Sequence, residues 1–223
     1  MSFNHSPKIV TNGLVMYLDA GSPKSYGGSG TVWTDISRNG NNGTLVNGPT
    51  YSSANGGSIV FDGINDYIST SSLSMLLSGS TNLTLSIWIY PTNLNTIGYK
   101  TVVDTPSRQL SIWMGLEGKG QFYGVGDRSG PYTTNFNWEN NKWQMMTVIV
   151  NSSSVQIIKN NYTVVESVLR GNIFNQQITF GNNPSGGGSN IAGSYGKISF
   201  YNRALSPAEV LQNYNATKSR FGL

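Results

Sequence analysis

The sequence of 223 residues lacks cysteine and has a single histidine, His5. The absence of cysteine excludes disulfide bonds, thiolate metal sites and cysteine nucleophiles. His5 lies in the polar N-terminal segment, which disfavours a Ser-His-Asp triad. Because secreted eukaryotic domains often carry a disulfide, the lack of cysteine favours a bacterial or viral source.

Charge is also scarce, since charged residues make up 11% of the chain and the net charge is only +4. Lysine and arginine occur singly, whereas a nucleic-acid-binding surface needs basic residues clustered on one face. No apolar stretch approaches the roughly 20 residues of a membrane span. The N-terminal segment MSFNHSPKIVTNG has no apolar core of a secretion signal. We therefore expect no nucleic-acid partner and no membrane insertion.

Bulky apolar residues alternate with other residues along much of the chain, which predicts β-strands. The clearest segment is 82–91. One set of its side chains is aliphatic and is expected to face a core: Leu83, Leu85, Ile87 and Ile89. The other set is expected to face the opposite way: Thr84, Ser86, Trp88 and Tyr90. About a dozen such segments predict an all-β fold, a two-sheet antiparallel jelly-roll sandwich.

One short C-terminal helix is also predicted. Ser206 occupies the N-cap position, Pro207 the first helical position and Glu209 the third, and this pattern is a capping box. Three residues at helical spacing are expected to pack on the sandwich: Val210, Leu211 and Tyr214.

The chain shows no linker and no internal repeat, which indicates one domain. We expect a jelly-roll domain over residues 13–217, preceded by a polar arm at 1–12 and followed by a tail at 218–223. Arms of this kind are often disordered and sometimes dock on a neighbouring subunit. The turn-rich segment 21–57 is expected to contain one short strand near Thr44–Val46, because structureless loops of this length are unusual in compact domains.

Four motifs occur in an order that is typical of one family. They are SIVFDGINDYIS at 58–69, LTLSIWIYP at 83–91, KWQMMTVIVNSSSVQIIKNN at 142–161 and GKISFYNRALSPAEVLQNYN at 196–215. Together they resemble the laminin-G-like, concanavalin A-like lectin jelly-roll domains. The resemblance covers residues 13–217, nearly the whole chain, and implies the same sandwich fold.

The opening segment, residues 12–51, is similar to the variant of this domain found in bacteriophage virion proteins and related bacterial proteins. The resemblance implies a non-catalytic capsid, neck or tail component, located in the phage particle, that docks on other virion proteins or on itself. Such modules also hold particles near host surfaces, so cell-surface polysaccharide is a further expected partner. Outside a virion, the protein would reach the cell exterior by a route other than a Sec signal.

Asp62 and Asp66 lie in one short turn, and two explanations for them stay open. Asp side chains accept hydrogen bonds from nearby backbone N–H groups and so stabilise turns. Alternatively, both could bind Ca²⁺, which many relatives in the resembled family hold at a sandwich rim. Ca²⁺ takes six to eight oxygen ligands, and no D-x-D-x-D string is present, so asparagine side chains and backbone carbonyls would have to complete the site.

The carboxylates do not support catalysis. The glycosidase branch of the resembled fold uses a carboxylate pair, typically E-x-D-x-E on one strand, and glycoside hydrolysis needs two carboxylates. The chain has four glutamates, and none has an acidic neighbour two or four residues further on: Glu117, Glu139, Glu166 and Glu209. We therefore expect that the protein is not an enzyme. A free-standing Ca²⁺-dependent lectin-like protein is the main alternative to a virion module, and a glycoside hydrolase is a minor one.

Two groups of side chains are candidates for ligand binding. In the loop 124–143, Asp127, Arg128, Tyr132 and Trp138 combine aromatic planes with hydrogen-bonding groups, as sugar-binding sites do. The alternative is that Trp138 plugs one end of the sandwich, because tryptophan is usually buried.

The second group consists of four aromatic residues on predicted strands: Trp88, Tyr90, Trp113 and Tyr123. If they face away from the core, they line the concave face of one sheet. The alternatives are a second hydrophobic layer beneath the segment 21–57 or a protein–protein interface.

Overall fold

The structure is a computed structural model that describes residues 8–72, 82–94, 98–106, 110–115, 119–125, 131–152, 154–168, 177–182 and 190–223. In these ranges the chain forms two antiparallel β-sheets and one α-helix, which confirms the predicted sandwich. The strands in chain order are β1 (Leu14–Asp19), β2 (Val32–Trp33), β3 (Gly43–Val46), β4 (Thr50–Ser52), β5 (Ser58–Asp62), β6 (Tyr67–Ser72), β7 (Leu83–Pro91), β8 (Lys100–Asp104), β9 (Leu110–Met114), β10 (Lys119–Val125), β11 (Pro131–Asn137), β12 (Gln144–Val150), β13 (Ser154–Lys159), β14 (Tyr162–Val168), β15 (Gln177–Phe180) and β16 (Ala192–Tyr201).

The two sheets contain eight strands each. Sheet A has the order β14-β13-β12-β7-β16-β5-β4, and β1 pairs with β16 outside this path. Sheet B has the order β11-β10-β9-β8-β15-β6-β3-β2. The paired strands β7 and β16 therefore lie in the middle of sheet A, where both faces can be covered.

The main core lies between the two sheets and follows from the alternation in β7. Its aliphatic side chains are fully buried there, as predicted: Leu83, Leu85, Ile87 and Ile89. Tyr195 of β16 crosses the core, and its hydroxyl donates a hydrogen bond of 2.9 Å to the carbonyl of Val102 in sheet B. This bond satisfies a buried polar group and joins the two layers.

A second hydrophobic layer, here called the outer layer, covers the outer face of sheet A. It is built from the sheet, from helix α1 (Pro207–Asn215) and from a 3₁₀ helix (Lys218–Phe221). Its main side chains are Trp88, Trp143, Met145, Tyr201, Val210, Tyr214 and Phe221. The segment 218–223 was expected to be a tail, but Phe221 is buried, so this segment packs as part of the sandwich.

Helix α1 begins as predicted. The side chain of Ser206 accepts a hydrogen bond from the backbone N–H of Glu209, and the Glu209 carboxylate accepts one from the backbone N–H of Ser206. Val210 and Tyr214 pack on the sheet, but the prediction for Leu211 was wrong, because 43% of this residue is exposed. Leu211 is one position beyond Val210 and so points about 100° away from the packed face.

The segment 21–57 is more structured than the sequence indicated. The strand near Thr44–Val46 is confirmed as β3, but β2 and β4 were missed because each has three residues or fewer. The buried carboxylate of Asp35 organises this segment by accepting hydrogen bonds of 2.8 to 2.9 Å from three backbone N–H groups, those of Tyr17, Ser37 and Asn41.

Residues 8–12 of the expected arm are held against α1 and its preceding loop. The backbone N–H of Val10 donates to Asn213 Oδ1 at 2.8 Å, and Tyr201 donates to the carbonyl of Val10 at 3.0 Å. Gln212 donates to the carbonyl of Lys8 at 2.7 Å. Part of the expected arm is therefore docked on its own domain, and residues 1–7 lie outside the described ranges.

Candidate functional site: an open groove beside Trp143

An open groove of about 430 Å³ lies on the outer side of sheet A, where β7 ends and β12 begins. We call it the Trp143 groove. Its walls come from three distant parts of the chain: Tyr90, the segment 139–144 with Asn160, and the segment 221–223. A groove of this size is in the range of small-ligand sites.

The loop that forms one wall is held rigid by Gln144. Its amide nitrogen donates to the carbonyls of Glu139 and Lys142 at 2.8 and 3.2 Å, and its amide oxygen accepts from the backbone N–H of Glu139 at 3.0 Å. Asn141 adopts a left-handed conformation with φ of 58°, and its N–H donates to the carbonyl of Pro91. The loop is therefore pre-formed, which reduces the entropy lost when a ligand binds.

Among the described residues that line the groove, only Glu139 has a carboxylate side chain. It forms ion pairs with Lys142 at 2.5 Å and with Lys159 at 2.9 Å. The hydrogen bonds from Lys142 and Lys159 lower the pKa of Glu139, so this carboxylate is ionised at neutral pH. A single ionised carboxylate cannot supply both the acid and the base or nucleophile of glycoside hydrolysis.

Three aromatic residues line the groove. The rings of Tyr90 and Trp143 are 5.5 Å apart, and those of Trp143 and Phe221 are 4.6 Å apart. Tyr90 is partly exposed, whereas Trp143 and Phe221 are buried. Aromatic planes flanked by amide groups offer a ring-shaped polar ligand an apolar face to stack on and hydrogen-bonding groups beside it.

The second candidate binding site is the turn between β5 and β6. Asp62 Oδ1 accepts a hydrogen bond of 2.7 Å from the N–H of Ile64, and Asp66 Oδ2 accepts one of 3.0 Å from the N–H of Asp62. Gly63 takes a positive φ of 80°. Turn stabilisation, one of the two predicted explanations, therefore accounts for one oxygen of each carboxylate.

The oxygen atoms of the same turn provide an incomplete ligand set for Ca²⁺. In the described ranges, no group of three or more His, Cys, Asp or Glu residues could hold a metal ion. Two buried oxygens have no hydrogen-bond partner, Oδ1 of Asp66 and Oδ1 of Asn190, and Asn190 also donates to the carbonyl of Ile64. Burial raises the pKa of Asp66. The donor set fits a cation only if asparagine and backbone oxygens supplement the two carboxylates.

Three predicted tryptophans are not open to ligands. Trp88 is 2% exposed because α1 and the 3₁₀ helix cover it; its ring stacks on Tyr214 and Phe221. This corrects the expectation that Trp88 lines an open concave face, and the covering segment is not 21–57 either. Trp138 is 5% exposed and belongs to the main core, so the alternative explanation, that it plugs the sandwich, is confirmed.

Trp113 is also buried, with 4% of the residue exposed. Its indole N–H donates to Asp104 Oδ2 at 3.2 Å, and its ring lies 5.8 Å from that of Tyr99. For Tyr123 and Tyr132 the structure places only the backbone, on the paired strands β10 and β11. Asp127 and Arg128 lie outside the described residues, so the loop site stays a prediction.

Sequence reasoning missed most of the Trp143 groove. Tyr90 was named as a candidate because of its position on a strand. Four other lining residues were not named as ligand-binding candidates: Asn141, Trp143, Gln144 and Asn160. Their pattern in the chain is that of ordinary loop and strand-end residues. Only one signal was available, an aromatic and amide-rich segment at a strand start, WENNKWQ at 138–144.

Comparisons with known proteins agree with the fold. The family model described as the concanavalin A-like lectin/glucanases superfamily matches residues 62–211. A comparison with curated proteins gave no match. Across the described part of the chain, no helix has both the length and the apolar character needed to cross a bilayer.

Among solved structures, Trypanosoma rangeli sialidase in complex with sialic acid aligns with a TM-score of 0.73 and 15% identity over 93% of this chain. The chain spans only 33% of the length of that sialidase. Domain 4 of AbnA, a GH43 extracellular arabinanase from Geobacillus stearothermophilus, in complex with arabinotriose, aligns with a TM-score of 0.69 and 17% identity over 90% of this chain and 98% of that one. The binding domain of Paraclostridial Mosquitocidal Protein 1 aligns with a TM-score of 0.69 and 20% identity over 92% of this chain and 52% of that one.

Proposed function

Because the chain belongs to the concanavalin A-like lectin/glucanases superfamily, we propose that it is a non-catalytic carbohydrate-binding module and that its ligand lies in the Trp143 groove. The observation that carries the proposal is the groove itself, an open, pre-formed site that combines aromatic and amide side chains. The partly exposed ring of Tyr90 provides the stacking surface, and the side chains of Asn141 and Asn160 provide hydrogen-bonding groups for sugar hydroxyls.

Two further points support binding without catalysis. Glu139 has no second carboxylate side chain beside it in the groove, and its existing carboxylate is held by two lysines. In addition, domain 4 of AbnA, 98% of which aligns with this chain, was solved with a bound trisaccharide, arabinotriose. A sandwich of this size is thus sufficient to bind an oligosaccharide in that protein.

The test is a panel of neutral and acidic oligosaccharides, screened on a glycan array and followed by calorimetry on the hits. We expect Tyr90→Ala to weaken binding at least about tenfold, because the stacking surface is lost. Tyr51→Ala is the matched control, since Tyr51 is 36% exposed on the edge strand β4 and does not line the groove. Full affinity in Tyr90→Ala, or no binding by the wild type to any glycan, would contradict the proposal.

We further propose that the module is a component of a bacteriophage particle, where it docks on other virion subunits. The support is the similarity of residues 12–51 to virion proteins. Mass spectrometry of purified particles from a phage that encodes the chain tests this proposal directly. Absence from intact particles would leave the free-standing lectin-like protein as the better description.

For the turn between β5 and β6, we propose that it holds Ca²⁺ when the ion is available. The unpartnered buried oxygens of Asp66 and Asn190 support this assignment, because a buried polar atom without a partner costs free energy that a cation would offset. Asp62 would contribute its second carboxylate oxygen. Calorimetric titration with CaCl₂ after EDTA treatment tests the site, and no heat of binding would exclude it.

A further inference from the structure

The aromatic side of the Trp143 groove is already filled by the chain itself. Phe221 stacks on Trp88 with ring centroids 4.3 Å apart and an interplanar angle of 18°. The ring of Trp143 also contacts Phe221, with centroids 4.6 Å apart and an interplanar angle of 48°, and the Arg220 guanidinium lies 4.9 Å from the centre of the Phe221 ring. Phe221 is therefore packed against two indole rings, in a position that we call the slot, at the edge of a groove that its neighbours Gly222 and Leu223 also line.

The floor of this slot is shaped for a ring. A Cβ atom at Gly196 would lie 2.6 Å from the Phe221 ring and 3.3 Å from the Trp143 ring, so only glycine leaves room for both. A flat group that packs against two indoles and over bare backbone meets the kind of surface on which a ring-shaped ligand stacks. The slot thus has the chemistry of a ring-binding subsite.

Polar contacts of the neighbouring residue Arg220 help to hold Phe221 in place. The guanidinium of Arg220 forms an ion pair with Asp19 and donates to the carbonyls of Asn55 and Gly57. Leu223 at the end of the segment is 48% exposed. Apart from Phe221, residues 218–223 are exposed or partly exposed, as is typical of segments that open locally while the rest of the fold stays intact.

We propose that Phe221 occupies the ring-binding subsite of the Trp143 groove as a built-in competitor, and that a sugar ring takes its place when residues 218–223 detach. This inference rests on the proposed carbohydrate-binding function. The slot and the groove share Trp143 and are continuous, so opening extends the shallow groove to the faces of Trp88 and Trp143. The measured affinity of the wild type is then reduced by the fraction of molecules that is closed.

The test compares oligosaccharide affinity in the wild type and in Phe221→Ala, with a glycan selected from the array. Removing the competing ring is expected to raise affinity about tenfold or more. Arg220→Met, which weakens the clamp but keeps Phe221, is expected to raise affinity by a smaller factor. Leu211→Ala is the matched control, because Leu211 is exposed on α1 and does not line the groove. Circular dichroism verifies that each variant is folded.

Trypsin digestion of the wild-type protein gives an independent measurement. The segment contains the trypsin sites Lys218 and Arg220, and a saturating glycan is expected to accelerate cleavage there, because bound molecules have the segment released. Unchanged or weaker glycan affinity in Phe221→Ala, or slower trypsin cleavage with glycan, overturns the competitor model. The proposed function is not affected by that outcome as long as the wild type binds the glycan. If neither the wild type nor Phe221→Ala binds any glycan, both proposals fail.

Discussion

Single buried polar side chains determine the shape of the long segment between β1 and β5. Asp35 is 6% exposed, and its two carboxylate oxygens accept hydrogen bonds from three backbone N–H groups and from the Ser37 hydroxyl. The Asp35 carboxylate therefore supplies backbone N–H groups with acceptors, as the carbonyls of neighbouring strands do elsewhere in the fold.

Replacing this carboxylate tests that role. We expect Asp35→Ala to lower the free energy of unfolding by about 3 kcal/mol, because buried N–H groups lose their acceptor. Asp35→Asn is expected to lose less, since its amide oxygen still accepts. Urea denaturation measures both. The exposed neighbour Arg38 offers a control, Arg38→Ala. Equal stability of Asp35→Ala and the control would show that the loop is held by other contacts.

The proposed cation site also depends on one side chain. We expect CaCl₂ in large excess over its dissociation constant to raise the melting temperature of the wild type by about 5 °C, because a ligand that binds only the folded state stabilises it. Asp66→Asn is expected to show no such shift, since it lacks the charge. Scanning calorimetry in CaCl₂ or EDTA measures the difference. A shift of the same size in Asp66→Asn would place the ion elsewhere.

At the scale of elements, helix α1 carries a pH-sensitive contact at its start. Arg203 binds both carboxylate oxygens of Glu209, at 2.9 and 2.6 Å. This pairing, with the hydrogen bond from the Ser206 backbone, lowers the pKa of Glu209 from 4.5 to about 2. A carboxylate with a lowered pKa adds stability above its unfolded pKa and loses it as the pH falls through its folded pKa.

The contribution of Glu209 should therefore be present at pH 7 and vanish between about pH 4.5 and pH 2. We expect Glu209→Gln to lower the unfolding free energy at pH 7 by about 1 kcal/mol, a modest value because the pair is partly exposed to solvent. Near pH 2 the variant and the wild type are expected to be equally stable. Urea titrations at several pH values measure the difference in unfolding free energy between the wild type and Glu209→Gln. A difference that does not change with pH would contradict the prediction.

Elements built from local patterns could be predicted, and sites assembled from distant segments could not. The alternation in β7 specified both of its faces, and the Ser206–Glu209 capping box specified the start of α1, because these signals involve neighbours in the chain. The same local patterns do not show which other segments cover the outer face of a sheet. Trp88 alternates as an exposed residue would, but α1 lies over it and buries it. The Trp143 groove joins three segments, whose proximity depends on the pairing of β7, β12 and β16.

At the scale of the whole molecule, residues 218–223 connect the outer layer to β1 and to the segment between β4 and β5. We expect their deletion to lower the unfolding free energy by about 4 kcal/mol, since the protein loses the buried ring of Phe221 and the contacts of Arg220. Deletion of residues 222–223 alone is the control and should cost little, because Leu223 is largely exposed. Urea denaturation measures both. Equal stability of the two deletions would mean that this segment is a tail after all.

The docking of residues 8–12 against α1 places this N-terminal segment on the outer face of sheet A, opposite the outer face of sheet B. Lys8 and the Trp143 groove both lie on the side of sheet A that α1 covers, so we expect a carrier attached at residue 8 to face the same way as the groove. The outer face of sheet B points the other way and presents the exposed Thr44. Since the chain has no cysteine, Thr44→Cys would create a unique thiol, and immobilisation through it would leave the groove facing the solution.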